Sequence, residues 1–166
     1  TGVLQDIKAI AKIARSAGAL LHIDAIQALS KVPIDFMLLG VDMMSISSHK
    51  IGGPQGVGAL IVQEKLPIKS FIFGGGQEIG RRGGTENIAG IVGFGRAVSM
   101  IKKSLKKMEI LEIWRNEIEE KIYKHAPQAS FPGNSSPRLS NVSTIYMPGV
   151  KSETQVMNFD LDQICI

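Results

Sequence analysis

Two short apolar runs in this chain end on clusters of polar, chemistry-bearing side chains. The run Ala19–Ile23 stops at Asp24, and Val41–Ser47 runs into Ser48-His49-Lys50 and then Ile51-Gly-Gly-Pro-Gln-Gly56. Ahead of the first run, Asp6 is a good N-cap, and Ile7, Ile10, Ala11, Ala14 and Ala17 recur at helical spacing. Gly18 stands where a left-handed C-terminal cap belongs. A third run, Val57–Val62, closes near Pro67. Helix, short turn and buried strand in succession is the rhythm of an α/β fold with a parallel sheet.

Beyond the third run lies a second glycine-rich region. Phe71-Ile-Phe73 leads into Gly74-Gly-Gly-Gln-Glu78, and Gly80-Arg-Arg-Gly-Gly-Thr85 follows; this composition predicts a loop. From about 88 to 124 one long helix is expected. Val98, Ile101, Leu105, Met108, Leu111, Trp114, Ile118 and Ile122 repeat at three and four. Lys102, Lys103, Lys106 and Lys107 fall mostly off that stripe and read as a solvated face. Asn141–Met147 and Leu161–Ile166 read as strands, with a short helix over Thr154–Phe159. The change of style predicts one domain over 1–105 and an α+β domain over 106–166, joined by the long helix.

Composition narrows the function. The 166 residues are 44% hydrophobic and 20% charged, with a net charge of +4, which suits an anionic ligand without demanding nucleic acid. Aromatics make up 5% of the chain and do not interleave with basic runs, which argues against a nucleic-acid surface. No apolar stretch approaches the roughly 20 residues of a membrane span. The one cysteine, Cys165, excludes an intramolecular disulfide and favours a reducing, cytoplasmic setting. It lies in an apolar run and is expected to be a small core residue. Three histidines and one cysteine show no metal-ligand spacing, and neither glycine cluster matches a nucleotide-loop pattern.

Ligands of open α/β sheets bind outside the carboxyl ends of the strands, where Asp24, Gln27, Ser47, His49 and Lys50 are expected. A lysine and an aspartate at the ends of neighbouring strands suit pyridoxal phosphate. The amine condenses with the cofactor aldehyde and the carboxylate keeps the ring nitrogen protonated. Each residue also has a plainer reading. Lys50 alone reads as a surface lysine in a turn, and Asp24 reads equally well as a helix cap. His22 reads as a packed strand residue. Ser47 and His49 are phosphate-contacting types, and Gly52-Gly53 lets backbone approach a ligand. Gln27 suits the ring hydroxyl. Arg82 and Thr85, in a glycine loop, suit a phosphate or carboxylate.

Taken together, His22-Ile-Asp-Ala-Ile-Gln27, Ser45-Ile-Ser-Ser-His-Lys50, Gly53-Pro-Gln-Gly56, Gly74-Gly-Gly-Gln-Glu78 and Arg82-Gly-Gly-Thr-Glu-Asn87 resemble the NifS-type cysteine desulfurases of the class V aminotransferase superfamily. Asn141-Val-Ser143 is similar to a strand start in that family's small domain. The resemblance implies an α/β architecture: the C-terminal half of a large fold-type-I domain with a mainly parallel sheet, plus the start of a smaller α+β domain. It also implies that Lys50 and His49 are catalytic, Lys50 as the Schiff-base lysine. Asp24, Gln27, Ser47, His49, Lys50 and Thr85 would bind pyridoxal 5'-phosphate, with Thr85 reaching the site of a neighbouring subunit in a homodimer. L-cysteine would be the substrate, alanine the product, and an acceptor or scaffold protein the recipient of sulfur for iron–sulfur clusters or other sulfur compounds. No metal, nucleic acid or membrane is implied. The family's nucleophilic cysteine lies beyond Ile166, so the chain is expected to be an internal piece. Two alternatives stand beside the desulfurase reading: a non-catalytic truncated scaffold, and another class V enzyme such as a selenocysteine lyase or an aminotransferase.

Overall fold

The computed structural model describes residues 1–166 as two compact units, Gln5–Glu109 and Thr1–Leu4 with Ile110–Ile166. In the first unit, helix α1 spans Ile7–Ser16 and is capped as its sequence predicts. Asp6 Oδ1 accepts from the Ala9 N–H at 3.0 Å. At the other end Gly18 is left-handed, and the N–H groups of Gly18 and Ala19 return to Arg15 and Ala14, which closes a Schellman motif. Strand β1 is His22–Asp24, α2 is Phe36–Leu39, β2 is Met43–Ser47 and β3 is Gly58–Val62. Each strand begins at least one residue later than its apolar run. Asp42 explains part of this, because its carboxylate takes the Leu21 N–H at 2.8 Å before the ladder starts.

The sheet order is β1-β2-β3, with β1 and β2 parallel and β2 and β3 antiparallel. The parallel expectation therefore fails for β3. A parallel return needs a crossover of a dozen or more residues. Only the turn from Ser48 to Val57 separates β2 from β3, and the Ser48 N–H already bonds the Val57 carbonyl. Val41, Met44, Ala25 and Ala11 form the core on one side of these strands, and Phe94 and Ala97 are buried within the same unit.

The expected single helix is two. Helix α3 spans Ile88–Ser99, capped by Asn87, and α4 spans Ile101–His125. At Met100 ψ is −5° and the N–H turns to the Ala97 carbonyl. The Ser99 hydroxyl donates to the Arg96 carbonyl at 2.7 Å, a back-bond that bends helices. The boundary between the units falls within α4.

In the second unit the face of α4 that is covered differs from the apolar stripe. Arg115 and Glu119 are buried, whereas Trp114 and Ile118 are half-exposed. Arg115 Nη1 donates to the Leu139 carbonyl at 2.9 Å. Glu119 accepts from both terminal nitrogens of Arg138, at 2.7 and 2.6 Å, and from the Ser143 hydroxyl at 2.6 Å. Ala129, Phe131 and Leu139 supply the apolar core.

The two strands expected late in the chain do not form. From Asn141 to Met147 the only pairing is one bridge, Ser130 with Tyr146. Helix α5 spans Ser152–Leu161, longer than expected at both ends. The N–H groups of Gln163 and Ile164 then return to Asp160 and Phe159, so the final residues cap α5 instead of extending. Cys165 is exposed, against the core role expected for it, because its segment turns back at Gln163 and Ile164 instead of forming the expected strand.

Candidate active site

Asp24 is the last residue of β1 and Ser47 the last of β2. In register, His22 pairs with Met43 and Asp24 with Ser45. Side chains alternate along a strand, so His22, Asp24, Ser45 and Ser47 share one face, while Ile23, Met44 and Ile46 share the other. Met44 lies on the core side, and the polar face is open. His22 belongs to that open face and is not packed inside. Its Nε2 shares a 2.8 Å hydrogen bond with the Ser45 hydroxyl. The reason is parity: His22 is two residues from Asp24 and must point the same way.

Asp24 is exposed, and its Oδ1 accepts from the Ile26 N–H at 2.8 Å. That Asx turn opens a series of tight turns over residues 25–31, with no regular helix for Asp24 to cap. The bond occupies Oδ1 and leaves Oδ2 for a ligand.

The Ser47 hydroxyl and His49 Nδ1 are 2.8 Å apart. His49–Ile51 form a 3-10 turn, ended by Gly52 at φ 81°. The turn is pinned from inside, since the Ile51 and Gly53 N–H groups both donate to the Ser48 carbonyl at 3.0 Å. Ser48 is fully buried, and its hydroxyl has no hydrogen-bond partner. A Cβ on Gly53 would lie 2.2 Å from that hydroxyl. Gly53 is therefore glycine because it packs on Ser48, and its use lies in close approach within the turn. Lys50, in the middle of the turn, is exposed.

Gln27 Oε1 accepts from Lys31 Nζ at 3.1 Å. Partial burial, followed by the charge of Lys50, pushes the Lys31 ammonium below its usual range. Lys31 thus sits close enough to Lys50 for the two cations to feel each other.

The glycine loop before α3 is a hydrogen-bonded turn system. The Gly83 N–H donates to the Ile72 carbonyl at 2.7 Å, and Gly84 to Gln77 Oε1 at 3.1 Å. A Cβ on Gly83 would meet Gly74 backbone at 2.5 Å, so these glycines permit two strands of loop to touch. Arg82 lines a cleft of about 490 Å³ with Gly58, Leu60, Val62 and Arg81. Thr85 is exposed and makes none of the side-chain hydrogen bonds that link the other candidates.

The structure thus joins Ser47 to His49, aligns Asp24 with Ser45, and joins Gln27 to Lys31, whose ammonium feels the charge of Lys50. Lys31, Ser45 and Ser48 were not singled out by sequence reasoning. Ser45 was signalled by its spacing of two from Ser47, whereas Lys31 meets Gln27 only because the turns bring it back. A buried Ser48 leaves no sequence trace.

A model of the family described as aminotransferase class-V matches residues 1–166. A cysteine desulfurase of Cereibacter sphaeroides is 39% identical over 166 residues, covering all of this chain and 42% of the relative. A cysteine desulfurase IscS of Clostridium botulinum is 35% identical over 98% of this chain and 42% of its own length. Among solved structures, a NifS-like protein from Rickettsia africae superposes with a TM-score of 0.90 at 39% identity, over 99% of this chain and 46% of that one. The chain thus spans under half the length of these relatives.

Proposed function

The chain belongs to the aminotransferase class-V family, and on that premise we propose that it is the central cofactor-binding part of a pyridoxal-phosphate-dependent cysteine desulfurase. The observation that carries this reading is the open strand face: Asp24 ends β1, and Ser47 ends the parallel strand β2 and pairs with His49 at the start of the turn that carries an exposed Lys50. The residues fit the cofactor by their chemistry. Asp24 keeps one carboxylate oxygen free for a ring N–H. The Ser47–His49 pair supplies two adjacent polar groups for a phosphate, and Lys50 supplies an exposed primary amine. The charge of Lys50 makes the spot electropositive, which favours a dianionic phosphate.

When bound, pyridoxal phosphate supplies an electron sink that weakens bonds at the substrate carbons next to its imine. The chain's own residues hold and orient it. Lys50 would carry it covalently, Asp24 would hold its ring nitrogen, and Gln27 would face its ring oxygen. Ser47 and His49 bind its phosphate, and Thr85 reaches the phosphate of a neighbouring subunit in a homodimer. Lys50 and His49 would be the groups that move protons at the reacting centre. The net reaction takes L-cysteine and an enzyme thiol to L-alanine and an enzyme persulfide, which conserves both sulfur atoms. A sulfur-acceptor protein then draws on the persulfide in the cytoplasm, for iron–sulfur clusters or other sulfur compounds.

Borohydride reduction of the holoenzyme tests the reading. Mass spectrometry is expected to find the reduced cofactor on Lys50, and an adduct on another lysine would overturn the assignment. The 166-residue chain taken alone is expected to release no sulfide from cysteine, with Cys165 playing no part.

A further inference from the structure

Gln27 and Lys31 follow β1 in a tight series of turns, and their side chains meet there. The Lys31 Nζ donates to Gln27 Oε1 at 3.1 Å. The backbone is shaped to make this meeting. Ser30, between them, is left-handed at φ 68° although it is not glycine, and it is buried. Such a conformation is strained for a residue with a side chain and persists only where the surroundings enforce it. The Lys31 and Val32 N–H groups both close onto the Ala28 carbonyl, which sets Lys31 back over Gln27.

A carboxamide has one accepting end and one donating end. With its oxygen turned to the Lys31 ammonium, Gln27 has its NH2 at the opposite end of the amide, directed away from Lys31 as the donor it can offer a ligand. A cation on the oxygen also polarises the amide and strengthens that donor. Burial, and after it the charge of Lys50, lowers the pKa of the Lys31 ammonium.

We infer that Lys31 is a positioning residue: it fixes the Gln27 carboxamide with its NH2 presented as the donor to the anionic ring oxygen of the cofactor. The inference rests on the reading of Gln27 and Lys50 under the proposed function, and it extends that reading to a residue outside the motif. Lys31 touches neither substrate nor cofactor in this scheme; it acts through Gln27.

The test is a double-mutant cycle on the holoenzyme, with Lys31→Met, Gln27→Ala and the pair. Each apo-protein is titrated with pyridoxal phosphate and followed by its visible absorbance. Lys31→Met is expected to weaken binding about tenfold and to shift the absorbance band, the loss expected for one charged hydrogen bond. In the Gln27→Ala background the same change is expected to cost nothing further, and Lys31→Arg is expected to restore binding. Equal losses in both backgrounds would show a mere field effect and overturn the inference. So would a drop in apo-protein melting temperature that accounts for the lost affinity. Borohydride separates the two levels. A reduced adduct on Lys50 without Lys31–Gln27 coupling sinks only the positioning role, whereas an adduct elsewhere removes the proposed function and this inference with it.

Discussion

The Ser47 hydroxyl and the His49 imidazole meet at 2.8 Å across one intervening residue. A strand end and the first residue of a 3-10 turn therefore act as one two-pronged group. Each holds the other's rotamer, so a ligand would pay little ordering entropy to use both. If the pair binds the cofactor phosphate, Ser47→Ala should weaken pyridoxal phosphate binding about tenfold, by removing one charged hydrogen bond and freeing the ring. Binding of pyridoxal, which lacks the phosphate, should hardly change. Equal losses for both compounds, measured by spectral titration, would place the pair elsewhere in the site.

The turn that carries Lys50 is predicted to depend on a contact that no side-chain interaction reveals. Ser48 Oγ is buried without a hydrogen-bond partner, and a methyl group on Gly53 would come within 2.2 Å of it and 3.0 Å of Ala97 Cβ. Gly53→Ala should therefore destabilise the first unit by about 2 kcal/mol, within the usual range for overpacking. Adding Ser48→Gly should return part of that loss, because it removes the nearer contact. Thermal melts of the two single variants and the pair decide the matter. Strict additivity would mean that Gly53 is needed for some other reason.

What the sequence disclosed follows a physical division. Local, one-residue signals were readable: Asp6 and Gly18 mark the ends of α1, and Asp24 and Ser47 end the strands that their apolar runs predict. Relations between segments were not. The direction of β3 is decided by the short turn before it, and the turn back after α5 uses Gln163 at φ 60° where a glycine would have announced it. The stripe on α4 misled because the second unit is anchored by Arg115, Glu119 and Arg138, so polar residues occupy positions where apolar ones were expected. In the site, Asp24 and Lys50 stood out by type and place. Lys31 did not, since its role depends on where a turn returns it, and a lysine four residues after a glutamine is ordinary by itself.

That polar anchor yields the last prediction. Burial alone would push the Glu119 carboxyl up. Hydrogen bonds from Arg138 and Ser143, with the charges of Arg138 and Arg115, outweigh burial and hold it below the usual carboxylate range. Glu119 and Arg138 are 11% and 7% exposed, so the pair is largely out of water, and removing one partner strands the other. Arg138→Met is therefore expected to cost about 3 kcal/mol near neutral pH. The pH dependence has a definite sign. A carboxyl depressed in the folded state contributes its full stability above the unfolded carboxylate range and loses it as pH falls through the folded value. Wild-type protein should therefore lose stability on acidification, and Glu119→Gln should flatten that slope because no proton is left to bind there. Urea titrations from neutral to acid pH would show it. An unchanged slope in Glu119→Gln would mean that some other carboxylate governs the acid limit.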